Sequence, residues 1–274
     1  MMKNRNHIAA TNNQQQPSEH RQSGNHWPSR GLAGDSRTAT GAGQPQVVPL
    51  PLAPQTASPV PWLTSIHGTP GRGNYGDPAY RGNCSGLLIR DLLLYHQPRR
   101  VLDPMTGGGT CRDVCKELGI ECVSLDIRTG QDASKPSAFW EDGTFDFIWL
   151  HPPYWKMVRW SDNPNCLANA PTLKDFLRAF RAIIRNCVRV LRPKGVLAIL
   201  MGDLRDHGEY QALPFRTLNL AYAEGLVLAA PEIIRFSHGT TSSNHQKYSF
   251  SFIPRLHDVC LLLKQPRRST AETR

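Results

Sequence analysis

A short stretch near the middle of the chain, His-Pro-Pro-Tyr-Trp at 151–155, combines residue types that are uncommon together at the end of a strand. It follows directly on the apolar run 145–150, which predicts a buried strand. Consecutive prolines stiffen a turn and remove backbone N–H donors, while His151 and Tyr154 add a titratable ring and a flat phenol. Packing alone rarely selects this combination, so we predict a functional site at this strand end.

A second stretch with chemical potential is Val-Leu-Asp-Pro-Met-Thr-Gly-Gly-Gly-Thr at 101–110. It predicts a strand that ends at Asp103, a glycine turn and the start of a helix. Ligands of α/β sheets bind outside the carboxyl ends of strands, and glycine lets the backbone approach them closely. Asp103 would reach a cationic or hydroxylic group there, whereas a phosphate is disfavoured because the Gly-Lys-Ser/Thr signature is missing. A tight turn without a ligand is the alternative.

Two further acids follow at the next predicted strand ends. Asp126 lies about 20 positions after the glycines, which suits a ribose diol, and Asp132 could meet an adenine amino group. Each acid alone is weak support, because most carboxylates on loops are only solvated. Together they outline a nucleoside bound across consecutive strand ends.

The elements that must position these groups alternate between strands and helices. Apolar residues at the 3.6-residue period predict a long helix over 173–191, with Thr172 as its N-cap. Shorter patterns predict helices near 85–96, 111–119 and 214–225, and strands near 99–103, 121–127, 145–150, 195–203, 226–236 and 257–264. This alternation indicates an α/β fold with a mostly parallel sheet covered on both faces. The last two strands have no helix between them and are predicted to pair antiparallel at one edge.

Composition sets the remaining bounds. The chain has 274 residues, 22 prolines and a formal net charge of +10, and a basic balance favours an anionic partner such as nucleic acid. Residues 1–60 are low in apolar content and predict a disordered, low-complexity tail.

The seven cysteines include no Cys-x-x-Cys pair, so neither a disulfide framework nor a metal site is predicted. Cys111 and Cys115 are interpreted as small buried residues of a helix. Neither a signal peptide nor a membrane span is predicted, and a cytoplasmic location is expected.

Taken together, the glycine stretch, Asp126 and His-Pro-Pro-Tyr resemble the S-adenosylmethionine-dependent amino-methyltransferases that modify adenine N6 or cytosine N4 in DNA. The match covers about residues 75–265 and includes the segment 189–210 and the closing strand 257–264. It implies a Rossmann-like sheet of seven strands with a reversed hairpin at one edge. It also implies S-adenosylmethionine as cofactor, bound by Asn83, Ser85, Asp103, Met105, Gly107, Gly109, Thr110, Asp126 and Asp132.

The same resemblance implies catalytic roles for His151, Pro152, Pro153 and Tyr154. The lone pair of an exocyclic amine is delocalised into its ring, and two acceptors at the NH₂ group favour a more nucleophilic, tetrahedral nitrogen. The Pro152 carbonyl would supply one acceptor, and Tyr154 a face on which a flipped base stacks. The family usually has Asp, Asn or Ser where this chain has His151. A neutral imidazole offers one acceptor nitrogen and a protonated one offers none. The rate of methylation is therefore expected to fall as the pH drops through the imidazole pKa. Two alternatives stay open: His151 points away and Pro152 acts with a neighbour, or activity is lost.

Two segments are candidates for contact with nucleic acid. Beside the catalytic stretch, Trp155, Arg159 and Trp160 could fill the gap left by a flipped base, or the loop could simply pack over the sheet. The basic segment 235–255 suits phosphate contacts or, alternatively, a solvated hairpin connection. Its candidate residues are Arg235, Lys247, Tyr248 and Arg255.

The sequence therefore predicts an enzyme, a DNA methyltransferase domain over 61–266 followed by a basic tail at 267–274, with adenine N6 slightly preferred over cytosine N4. Little room is expected for a separate recognition domain. Recognition of the DNA target sequence would therefore depend on the N-terminal tail or on the loops 156–171 and 237–256. An RNA base methyltransferase and a non-catalytic DNA-binding protein are the alternatives. Target sequence, oligomeric state and the existence of a restriction partner stay open.

Overall fold

The computed structural model describes residues 57–69, 71–135, 141–236 and 255–266. The chain divides into units of Met1–Pro51 and Leu52–Arg274, and every described residue belongs to the second. Most of the predicted tail 1–60, the tail 267–274, Lys247 and Tyr248 lie outside the described residues. Of the predicted N-terminal tail only 57–60 are described, and Val60 is buried there.

The described part of the chain contains four α-helices and ten strands, besides three single turns of 3-10 helix. The helices are α1 (Gly86–His96), α2 (Thr110–Glu117), α3 (Leu173–Val190) and α4 (Leu213–Ala223). The strands are β1 (Ile66–His67), β2 (Arg100–Asp103), β3 (Glu121–Ser124), β4 (Phe145–Leu150), β5 (Leu191–Met201), β6 (Leu204–Asp206), β7 (Glu209–Gln211), β8 (Val227–Leu228), β9 (Ile233–Phe236) and β10 (His257–Lys264).

Eight of these strands form one sheet in the order β1-β9-β10-β5-β4-β2-β3, with β8 beside β10 on the same side as β9. The run β5-β4-β2-β3 is parallel throughout, and β10 is antiparallel to β5 and to β9. The predicted α/β class with a mostly parallel sheet and the antiparallel pairing of the last two strands are therefore confirmed. The sheet has eight strands rather than the seven expected, and the single strand predicted over 226–236 is divided into β8 and β9. The two-residue strand β1 outside β9 and the small β6–β7 hairpin were not predicted, because segments this short carry no periodic signal.

Local sequence explains where the helices begin and end. The Thr172 hydroxyl accepts a hydrogen bond from the Asp175 backbone N–H at 3.1 Å, the N-cap predicted for α3. Gly119 follows α2 with a φ of 69°, a left-handed conformation that ends a helix at little cost to glycine.

The sheet is buried on both faces. Phe145, Ile148 and Leu150 of β4 pack with α3 and α4, whereas Phe147 and Trp149 pack on the opposite face with α1 and α2. Helices on both faces leave only the strand ends open to a ligand, and the parallel strands bring their carboxyl ends to one edge. No helix in the described part of the chain is both long and apolar enough to cross a bilayer.

Candidate functional site

A cleft of about 780 Å³ opens at the carboxyl ends of β2, β3, β4 and β5. Most of the residues predicted to act in a site line it: Asn83, Ser85, Asp103, Met105, Gly107, Thr110, Asp126, Asp132, His151, Pro152, Pro153, Tyr154, Trp160, Arg235 and Arg255. Gly109, Trp155 and Arg159 do not. The two sequence stretches thus meet in one cavity because β2 and β4 are adjacent and parallel.

Asp103 lies at the floor of the cleft. Only 2 % of the residue is exposed, and its carboxylate accepts a hydrogen bond from the Met105 backbone N–H at 3.2 Å. Burial raises the pKa of Asp103 to about 8, because the charged form is poorly solvated there. A cationic ligand group would favour its ionised form, so the carboxyl is suited to hold an ammonium group.

The glycine turn and Asp126 form one unit. Gly107 has a φ of 51°, and its N–H donates to the Asp126 carboxylate at 3.1 Å. Arg128 donates to the same carboxylate from its backbone N–H at 2.8 Å and from its guanidinium at 2.9 Å. Burial alone would raise the pKa of Asp126, but these donors hold it below its ordinary value. The carboxylate therefore connects the turn after β2 to the turn after β3.

Neighbouring polar groups hold the rim of the cleft. Thr110 donates to the side-chain oxygen of Asn83, which joins the segment before α1 to the start of α2. Asp132 accepts from the Ser134 hydroxyl at 2.6 Å and from the Asn165 amide at 3.0 Å. Ser85 differs from these residues: it is buried, and its hydroxyl has no hydrogen-bond partner among the described residues.

A stack of three side chains that the sequence did not predict closes one side of the cleft. The Tyr80 ring stacks on Trp160 with centroids 5.0 Å apart, and the Arg128 guanidinium lies 4.9 Å from the Tyr80 centroid. Trp160 was a candidate for nucleic-acid contact, but Tyr80 and Arg128 gave no signal, because no regular spacing connects them to the motifs.

His151 follows β4 and faces Tyr154, with 3.0 Å between the imidazole Nε2 and the phenolic oxygen. If Tyr154 donates, Nδ1 carries the ring proton and no acceptor remains for a substrate. If Nε2–H donates instead, Nδ1 is free to accept. Burial lowers the pKa of His151 to about 4, so the ring is neutral at physiological pH.

Arg235 lies in the interior rather than on a solvated loop. It belongs to β9, is 7 % exposed and forms an ion pair with Asp258 of β10. Arg255 approaches the other oxygen of Asp258 at 3.6 Å. This burial differs from the phosphate contact expected of Arg235, because the antiparallel pairing of β9 with β10 places the carboxylate of Asp258 against it. The charges of Arg235 and Asp258 also lie close enough to His151 to act on its pKa.

Trp155 is part of the hydrophobic core. It is 5 % exposed, packs with the apolar side chains of α3, and donates its indole N–H to the Ala170 carbonyl at 2.8 Å. Its ring is therefore not accessible for the expected contact with nucleic acid, which favours the alternative of a loop that packs over the sheet. Arg159 is exposed and pairs with Asp162 at 2.8 Å.

Trp155→Ala is expected to destabilise the fold by about 3–5 kcal/mol, because it leaves a large cavity and an unpaired Ala170 carbonyl. Chemical denaturation would measure this loss. Trp62→Ala, at a residue that is 60 % exposed, serves as the control and should be nearly neutral. Equal stability of the two variants would contradict the core position of Trp155.

The doubly wound sheet, with an open cleft at the carboxyl ends of its parallel strands, places the chain in the Rossmann-like α/β class. No family model matches the chain. It is 34 % identical over 162 residues to a ribosomal protein uL3 glutamine methyltransferase of Neisseria gonorrhoeae, covering 53 % of this chain and 50 % of that protein. The Neisseria meningitidis protein of the same name is 34 % identical over 93 residues, which is 31 % of each chain. The chain thus spans about half the length, or less, of these relatives.

Two solved structures are similar at lower identity. A SAM-dependent methyltransferase of Archaeoglobus fulgidus is 14 % identical, with a TM-score of 0.42 over 66 % of this chain and 95 % of that one. A protein of Thermus thermophilus, for which a DNA modification methylase activity has been suggested, was solved with S-adenosyl-L-methionine. It is 21 % identical, with a TM-score of 0.36 over 52 % of this chain and 55 % of that one. Both likenesses are too distant to bear on the activity of this chain.

Proposed function

We propose that the chain is an S-adenosylmethionine-dependent methyltransferase that modifies the exocyclic amine of a base in DNA, with adenine N6 slightly preferred over cytosine N4. One observation carries the proposal. The His-Pro-Pro-Tyr turn opens into the same cleft as Asp103 and the glycine turn, so an amine and a methyl donor can meet there.

The residues of the cleft fit the cofactor. Asp103 suits the ammonium of its methionine part, and the Ser85 hydroxyl, buried without a partner among the described residues, suits the carboxylate. The turn at Gly107 lets the cofactor approach the backbone closely, and the hydrogen bond between Thr110 and Asn83 holds the far end of this glycine turn. When bound, the cofactor supplies an electrophilic methyl group on a sulfonium. Asp126 would hold the ribose after its guanidinium partner, Arg128, moves or shares the carboxylate.

The groups of the catalytic turn would orient the substrate amine. The Pro152 carbonyl accepts from one N–H, and Nδ1 of His151 accepts from the other when Nε2–H donates to Tyr154. Positioning and electrostatics are sufficient here, because the sulfonium is a good leaving group and no strong base is required.

Charge supports nucleic acid as the substrate. The formal net charge is +10, and Arg81, Arg128 and Arg255 lie at or near the cleft. Arg81 is exposed and forms no ion pair with another described residue. The aromatic pair Tyr80 and Trp160 adds a flat surface at the rim, on which a base can stack.

The rate of methyl transfer is expected to stay flat from pH 8 to about pH 5 and to fall only as the pH approaches about 4, where His151 is protonated. An imidazole with its ordinary pKa of 6.5 would cause a tenfold fall by about pH 5.5. The imidazole of the unfolded chain takes up a proton near pH 6.5, whereas that of the folded chain does so only near pH 4. As the pH falls between these two values the unfolded state is favoured, and the folding stability decreases. Single-turnover rates with saturating DNA, measured with far-ultraviolet circular dichroism to monitor folding, would check this range. A midpoint near 6.5 with an intact fold would contradict it.

A second candidate is methylation of a glutamine side-chain amide in a protein, which the Neisseria gonorrhoeae relative supports. A carboxamide NH₂ is planar and conjugated like the amine of a base, so the same two acceptors would serve it. The shared identity covers only half of that relative, and the basic charge favours a polyanion over a peptide.

Methyl transfer from labelled S-adenosylmethionine to several acceptors would test the proposal. Duplex DNA, single-stranded DNA, RNA and ribosomal proteins are incubated separately, and the products are digested to nucleosides or amino acids. N6-methyladenine or N4-methylcytosine from DNA supports the proposal, whereas label in RNA or glutamine alone assigns one of the alternatives. Cofactor binding without transfer to any acceptor would support a non-catalytic binding protein, and methylation of a ring carbon would contradict the amine chemistry.

A further inference from the structure

Three cysteines that the proposed reaction does not use converge beside the cleft, and one of them, Cys111, also lines it. Cys111 and Cys115 lie one turn apart on α2, and Cys122 is the second residue of β3. Their sulfur atoms all lie within 4.8 Å of one another. Only the first two share a recognisable spacing in sequence; the short turn between α2 and β3 brings the third against them.

The three thiols differ in their exposure. All are free rather than disulfide-bonded, and Cys122 is half-buried whereas Cys111 and Cys115 are buried. Because Cys122 is partly accessible on the edge strand β3, it is a suitable entry point for an ion.

We propose that Cys111, Cys115 and Cys122 form a binding site for one thiophilic metal ion, with three sulfur ligands and Cu(I) as the best-fitting ion. At a metal–sulfur distance of about 2.3 Å, a planar three-coordinate ion places its sulfurs about 4.0 Å apart, within the observed limit. Thiolates are soft ligands that select Cu(I), and binding releases thiol protons.

The ligand number separates Cu(I) from Zn²⁺. Structural Zn²⁺ sites are four-coordinate, and no fourth His, Cys, Asp or Glu among the described residues completes this group. Cu(I) needs no fourth ligand. The bound ion would connect α2, which begins at Thr110 at the end of the glycine turn, to the edge strand β3 and so stabilise this side of the cleft.

Anaerobic titration of the full chain with Cu(I), against a chromogenic Cu(I) chelator, would test the site. We expect one Cu(I) per chain and an affinity that falls by about 100-fold or more in Cys122→Ser, because loss of an outer-shell partner alone costs 10–100-fold. Cys187→Ser is the matched control, since Cys187 is a buried cysteine of α3 outside the cluster, and it should bind like the unmodified chain. Equal affinity of both variants for Cu(I), or an equal loss in both, would overturn the proposal.

X-ray absorption on the unmodified chain keeps the test independent of how the variants fold. Three sulfur neighbours around one Cu(I) support the site, whereas nitrogen or oxygen neighbours overturn it. A parallel titration with Zn²⁺ that shows tighter binding than Cu(I) would overturn the three-coordinate assignment. Circular dichroism and denaturation of Cys122→Ser report whether loss of binding comes from loss of the fold.

Discussion

His151→Ala is expected to lower kcat by about 100-fold while leaving the affinity for S-adenosylmethionine unchanged. The imidazole would supply one of two acceptors that orient the amine, and the loss of one preorganised polar partner at a reacting group typically costs this much. His151→Asn should recover most of the rate, since its amide oxygen can accept from the substrate amine in place of Nδ1. The measurement is single-turnover methylation of DNA, with cofactor affinity followed by calorimetry.

Two variants sharpen this test. His207→Asn changes a histidine whose side chain is 88 % exposed, on the β6–β7 turn, and should leave the rate unaltered. Tyr154→Phe removes the partner of Nε2 and is expected to slow transfer by about tenfold, because the required tautomer is no longer favoured. An unchanged rate in His151→Ala would show that the ring does not act on the amine. The proposed cofactor site and the fold would be unaffected by that result.

Asp126→Ala is expected to weaken S-adenosylmethionine binding by about 100-fold, equivalent to about 2.8 kcal/mol. Its carboxylate accepts from the Gly107 N–H and from Arg128, so its loss releases the glycine turn and also removes the group that would hold the ribose. Hydrogen bonds to charged groups contribute about 1.5–3 kcal/mol each, which agrees with an effect of this size. Isothermal titration calorimetry would measure the change.

Asp162→Ala provides the matched control for Asp126→Ala. Asp162 also pairs with an arginine, Arg159, but both side chains are largely exposed, at 91 % and 73 %. Exposed pairs contribute about 0–1 kcal/mol, so neither cofactor binding nor stability should change appreciably. A similar affinity for the cofactor in both variants would argue against Asp126 as part of the cofactor site.

Much of the fold was predictable because its signals are local. The long helix α3 and its Thr172 cap follow from apolar spacing and one hydroxyl, and β10 matches its predicted bounds of 257–264. The convergence of Asp103 and His151 was also predictable, since parallel strands place their carboxyl ends at one edge. These inferences need only short-range patterns and a general rule of sheet topology.

The failures concern contacts between distant parts of the chain. Trp155 has the composition of a surface wedge, but its indole lies against the Ala170 carbonyl, 15 positions away. Arg235 belongs to a basic segment, yet Asp258 of the neighbouring strand neutralises it in the interior. Neither partner can be identified from the spacing of residues, because burial depends on which strands and loops become neighbours.

The sequence by itself determined the α/β class, the two strand-end motifs and the chemistry that they predict, because residue type, period and turn chemistry act over a few residues. Only the tertiary structure decided which hydrogen-bond partner His151 meets, that Trp155 is buried, and that Cys122 joins Cys111 and Cys115. The physical reason is common to all three. Burial, pKa and ligand geometry depend on the full set of neighbours around an atom, and that set forms only when the sheet and helices pack together.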